Sequence, residues 1–92
     1  MDQISRIRCK NLVDRLLACC DDSENEEDRA VVMRISVVML AKLRIYGDVD
    51  TMLSYDVREL VSAVNICGGR KGLLELWDQT MDLLQSYRDA LA

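Results

Sequence analysis

Over the first twenty residues, apolar side chains fall at Ile4, Ile7, Leu12, Leu16, Leu17 and Cys20, close to the three-and-four spacing of a helix with one buried face. Arg6, Arg8, Lys10, Asp14 and Arg15 fill much of the rest. The pattern predicts a first helix over residues 3–20, basic on its outer side and bent or broken near Lys10 and Asn11. The chain then changes character. Residues 21–28 read DDSENEED, six acidic groups in eight positions, a run that must stand in water. Ser23 with Glu26 three residues on matches a capping box. The carboxylates suit the positive end of a helix dipole, so a second helix is expected from about Glu24.

From Ala30 to Ile45 the sequence AVVMRISVVMLAKLRI is apolar on nearly every side, the mark of a central segment. Its Val and Ile content keeps a strand open, but its length favours helix. Either one long helix or two with a break near Ser36 would fit, and the break is preferred. YGDVDT at 46–51 reads as a turn in which Gly47 ends the preceding helix. Ser54 or Thr51 can cap the next helix, with Asp56 and Glu59 loading its first turn. Val57, Leu60, Val61, Val64 and Ile66 form its apolar side, and Gly68 stops it. In the last segment Leu73, Leu74, Trp77, Met81, Leu84, Tyr87 and Leu91 share one broad face, as one helix or two. Five or six amphipathic helices joined by short connections predict an all-α fold, a compact antiparallel bundle forming a single domain over residues 1–92. Met1 suggests an N-terminal position for it.

Composition agrees. Proline and phenylalanine are absent from the 92 residues, half of which are apolar and nearly a third charged, as in a soluble globular domain of mainly helical preference. A net charge of −4 argues against a nucleic-acid partner, which calls for a basic surface. The longest apolar stretch, Val37 to Ala41, is far short of the roughly 20 residues that span a bilayer. No membrane association and a cytoplasmic location are expected. Cys9, Cys19, Cys20 and Cys67 have no framework spacing, and with no histidine and no CxxC pair they read as small core hydrophobes with no metal to hold.

The stretch CGGRKG at 67–72 raises a phosphate-loop question and answers it. A P-loop needs GxxxxGK followed by Ser or Thr, after a strand. Here Lys71 is followed by Gly72. Gly68 and Gly69 instead make a corner between helices. No base partners a cysteine and no histidine supplies acid–base chemistry, so neither an enzyme nor a cofactor is expected. Trp77, amid leucines, reads as a core anchor.

Charge is the informative feature. An acidic set (Asp21, Asp22, Glu24, Glu26, Glu27, Asp28) is balanced by a basic set (Arg6, Arg8, Lys10, Arg15, Arg34, Lys42, Arg44). If the signs occupy different sides of the bundle, one copy can present its acidic patch to the basic patch of the next in a head-to-tail contact that builds an oligomer or filament. A solvated surface of mixed charge is the plainer reading.

NLVDRLLACC, then EEDRAVVMRI after the acidic gap, then DVRELVSAVNICGGRKGLLELWDQTMDLL together resemble the effector-associated domains of bacterial conflict systems. These are all-helical modules similar to the death-fold (death/CARD-like) superfamily. Leu60, Val61, Ala63, the Gly68–Gly69 pair, Leu73 and Leu74 carry the resemblance most specifically, with Leu12 to Leu17 and Arg29 as earlier markers. It implies a death-fold-like adaptor that binds itself or a similar domain on an effector, bringing effectors together in antiphage immunity. The competing expectation is a helical regulator or chaperone that holds an unrelated protein in an apolar groove.

Overall fold

The chain enters its first helix through Asp2, whose Oδ1 accepts the Ser5 amide at 2.7 Å and satisfies one of the orphan donors of a helix start. In the computed structural model, which describes residues 2–46 and 51–91, five helices follow: α1 (Gln3–Asp22), α2 (Glu26–Tyr46), α3 (Thr51–Ile66), α4 (Arg70–Leu74) and α5 (Trp77–Leu91). No strand occurs among the described residues.

α1 runs unbroken, so the expected bend near Lys10 and Asn11 is absent; neither residue removes a backbone donor as proline would. The cap at the next corner also differs from expectation. Ser23 ends α1: its hydroxyl donates to the Cys19 carbonyl at 2.8 Å and its amide to that of Cys20. Asn25 starts α2 instead, with its Oδ1 accepting the Asp28 amide at 2.8 Å and its Nδ2 donating to the Asp28 carboxylate at 3.1 Å. The Asn25–Asp28 pair thus replaces the Ser23–Glu26 box, and α2 begins at Glu26, two residues later than expected.

The break preferred near Ser36 does not exist either. A serine disturbs a helix when its hydroxyl competes for backbone groups, whereas Ser36 is fully buried beside the Cys20 thiol of α1 with no conventional hydrogen-bond partner. α2 therefore stays whole and packs against all four other helices. Val37, Leu40 and Leu43 meet Val13, Leu16 and Leu17 of α1, Val57 and Leu60 of α3, and Leu83, Leu84, Tyr87 and Leu91 of α5 in one core. Each fully buried leucine there contributes roughly 2 kcal/mol. A smaller cluster of Ala30, Met33 and Leu73 joins α2 to α4.

α3 starts at Thr51, so Asp56 and Glu59 lie beyond its first turn. Ser54 is no cap; its hydroxyl accepts Nε of Arg44 at 3.1 Å and ties α2 to α3. Gly47 and the Thr51 side chain fall outside the described residues. Ile66, expected on the apolar side, is 84% exposed because α3 ends there. Gly68, at φ +76°, turns the chain into the left-handed conformation that glycine adopts without strain. The last segment is two helices, separated by a turn at Glu75 and Leu76.

Candidate functional site

The α1–α2 corner decides where the charges go. The N-terminal half of α1 lies beside the C-terminal half of α2, since Ser5, Arg8, Cys9 and Leu12 share a groove with Met39, Lys42 and Leu43. Asp21, Asp22, Glu24, Glu26, Glu27 and Asp28 surround the corner at the other end, all exposed. Arg8 and Asp22 are about 20 Å apart along α1, and Glu27 and Lys42 about 22 Å along α2, at 1.5 Å per residue. Those separations exceed the Debye length of about 8 Å at physiological salt. Arg8 and Lys42 therefore do not neutralise the acidic corner of their own chain.

The helix dipoles sharpen the point. On α2 the order is favourable, with Glu26, Glu27 and Asp28 in the first turn and Arg44 in the last. On α1 the N-terminal end is favourable, capped by the Asp2 carboxylate, but Asp21 and Asp22 stand at the C-terminal end, where the dipole disfavours them. Each such misplaced charge costs roughly 0.3–1 kcal/mol. Helix stability therefore does not explain the arrangement on α1.

The basic residues divide by task. Arg6 is committed within the chain: Nη2 donates to the Ala90 carbonyl at 2.6 Å and Nε to that of Leu91 at 3.2 Å, closing the C-terminal end of α5. Arg44 holds Ser54. Arg8 and Lys42 come together on the rim of a groove of about 450 Å³, floored by Cys9, Leu12, Met39 and Leu43 and shared with Asp2. Hydrogen bonds from the Ser5 amide and hydroxyl hold the Asp2 carboxyl below its ordinary range. Lys10 is half-buried and Arg15 exposed on α1. Arg34 stands apart, in a groove between α2 and α3 with Val38, Val61 and Val64.

Cations also reach the acidic corner. Arg70 and Lys71 share a recess with Glu26, and the Arg29 guanidinium lies over the Trp77 ring, 5.3 Å from its centroid, a cation–π contact. Trp77 is half-buried against both apolar clusters. The Gly68–Gly69 corner leads into α4 with Gly69 as its N-cap. The closest approach there belongs to Gly72, where a Cβ would overlap the Cys67 carbonyl oxygen.

Two features escaped the sequence reading. Cys19, expected in the core, is exposed, while Cys20 is buried; the step of about 100° between them carries Cys19 past the edge of the stripe formed by Val13, Leu16, Leu17 and Cys20. Burial pushes the Cys20 thiol's pKa up, with the Ser36 hydroxyl partly offsetting it and the neighbouring Cys19 and Asp21 adding to it. Secondly, the all-round apolar character of α2, read as the mark of a central segment, does not mean burial on every side: Val31, Ile35 and Val38 are exposed. Spacing of four and three residues between them was the available signal.

Among the described residues no group of three or more carboxylates or thiols could hold a metal ion, and no helix is long and apolar enough to cross a membrane. No family model matches the chain, and no curated protein and no solved structure matches it.

Proposed function

We propose that this chain is a protein–protein interaction module, an adaptor that associates with copies of itself or with a similar domain on an effector. One observation carries the reading: six exposed carboxylates gather at the α1–α2 corner and Arg8 with Lys42 at the other end of the pair, and Asp21 and Asp22 stand there against the helix dipole. An arrangement that costs local stability yet leaves both patches in water is suited to meeting a complementary surface. The acidic end of one copy then faces Arg8 and Lys42 of the next, an open head-to-tail contact. On the resemblance to effector-associated domains, the helices form an antiparallel, death-fold-like bundle and the output is a raised local concentration of tethered effectors in bacterial antiphage defence.

The test is Asp21→Lys with Asp22→Lys. Both substitutions place positive charge at the C-terminal end of α1, where the dipole favours it, so folding is not weakened. Light scattering is expected to show the wild-type mass rising with concentration to species larger than two copies, less so at high salt, and the double variant losing growth beyond two copies. Unchanged assembly of the variant would sink the head-to-tail contact.

A further inference from the structure

The outward face of α2 carries aliphatic residues that the end-to-end contact leaves unused. Val31, Ile35 and Val38 are 54%, 46% and 52% exposed and stand on the side of the helix opposite the buried Met33, Val37 and Leu40. With Asp28 before them and Lys42 after, the positions 28, 31, 35, 38 and 42 step by three, four, three and four. That is the spacing of a coiled-coil seam. A surface helix ordinarily turns a polar face to water, so three half-exposed aliphatic residues in a row mark a contact surface.

We propose that this seam pairs with the same seam of a second copy about a two-fold axis passing beside Ile35. The pattern reads acidic, apolar, basic, and is complementary to itself only when the helices run in opposite directions. Ile35 then meets Ile35, Val31 of one copy lies against Val38 of the other, and Glu27 and Asp28 approach Lys42 twice over. A parallel pairing would set Asp28 on Asp28 and Lys42 on Lys42, which like-charge repulsion disfavours. Such an interface is isologous and closes at two copies. It deepens the homotypic reading and rests on it, adding the apolar face of Val31, Ile35 and Val38 and drawing on Asp28 and Lys42, so that Asp21, Asp22 and Arg8 remain for the end contact. A single helix pair is at the small end of specific interfaces, so the dimer is a weak one.

Sedimentation from about 10 μM to about 1 mM tests this, because that range brackets weak association. The wild type should move from monomer toward dimer as concentration rises. Ile35→Glu puts two carboxylates together at the axis and should leave a monomer of unchanged helicity, Ile35 being half exposed already. The Asp21→Lys, Asp22→Lys variant should keep the dimer. In a Cys19→Ser background, Ile35→Cys should form a covalent dimer under mild oxidation much faster than Tyr55→Cys, a control on exposed α3 surface. A wild type that stays monomeric throughout overturns this inference and the homotypic reading together. Association unaffected by Ile35→Glu, or equal cross-linking of the control, overturns this inference alone.

Discussion

Arg6 separates a structural cation from an interfacial one, and its replacement is the sharpest test of the packing. Its guanidinium donates to the Ala90 and Leu91 carbonyls at 2.6 and 3.2 Å, joining the start of α1 to the end of α5. Hydrogen bonds from a charged donor are worth about 1.5–3 kcal/mol each at best, and the positive charge at a helix C-terminus adds about 0.3–1 kcal/mol. Arg6 is half-buried, so solvent competes, and the low end applies. Arg6→Ala is expected to cost about 2 kcal/mol, or roughly 10 °C in Tm for a domain this size. In urea the midpoint should fall by about 1–2 M with the slope unchanged, as read by far-ultraviolet circular dichroism. Arg6→Lys should recover only part of the loss, since an ammonium keeps the charge but not the planar fork. A midpoint for Arg6→Ala within about 0.5 kcal/mol of wild type would refute the reasoning and return Arg6 to the pool of interaction residues.

Two other outcomes follow from the glycine corner and from burial. Gly72→Ala should cost about 2–4 kcal/mol, because its Cβ overlaps the Cys67 carbonyl oxygen and backbone must move. Gly68→Ala, with open space around it but φ at +76°, should cost only about 1 kcal/mol; equal losses in urea melts would contradict the corner's shape. Burial raises the acid pKa of Cys20 and of Tyr87, Arg44 partly offsetting the latter. Their contribution is complete below the unfolded values of 9.0 and 10.0 and is lost as pH rises through the higher folded ones. Stability should accordingly decline from about pH 9 upward, and iodoacetamide at neutral pH should label Cys19 well before Cys20. Equal labelling rates would show the Cys20 thiol to be open.

What the sequence made legible was what periodicity encodes. The helical class, the central place of α2 and the stop at Gly68 all follow from local spacing, and the structure bears them out. Caps were harder, because Ser23 and Asn25 are both good capping residues and the choice depends on where α1 ends, which tertiary packing of Cys20 decides. Ser36 misled because it interrupts an apolar run and so suggested a break, whereas α2 runs through it and buries it beside Cys20 of α1. The charged sets were visible as sets. Their geometry was not: only the fold shows that Arg6 closes α5, that Arg44 holds Ser54 and that Arg34 stands apart from Arg8 and Lys42.

The two proposed contacts have different consequences because one closes and the other does not. A two-fold pairing through α2 is exhausted at two copies, whatever the concentration. An end contact between the acidic corner and the Arg8–Lys42 rim leaves one free patch of each sign on every growing chain. Acting alone, the first gives a dimer and the second a single-file strand held by screened surface charge, which is weak at physiological salt. Acting together they couple, since each copy joining a paired strand makes an end contact while its α2 partner is held at high effective concentration. The aliphatic centre of the seam is less affected by salt than the charged end contact. Ionic strength therefore sets whether assembly stops at the dimer or continues, and the same chain can serve as a weak pair or as the unit of a larger array.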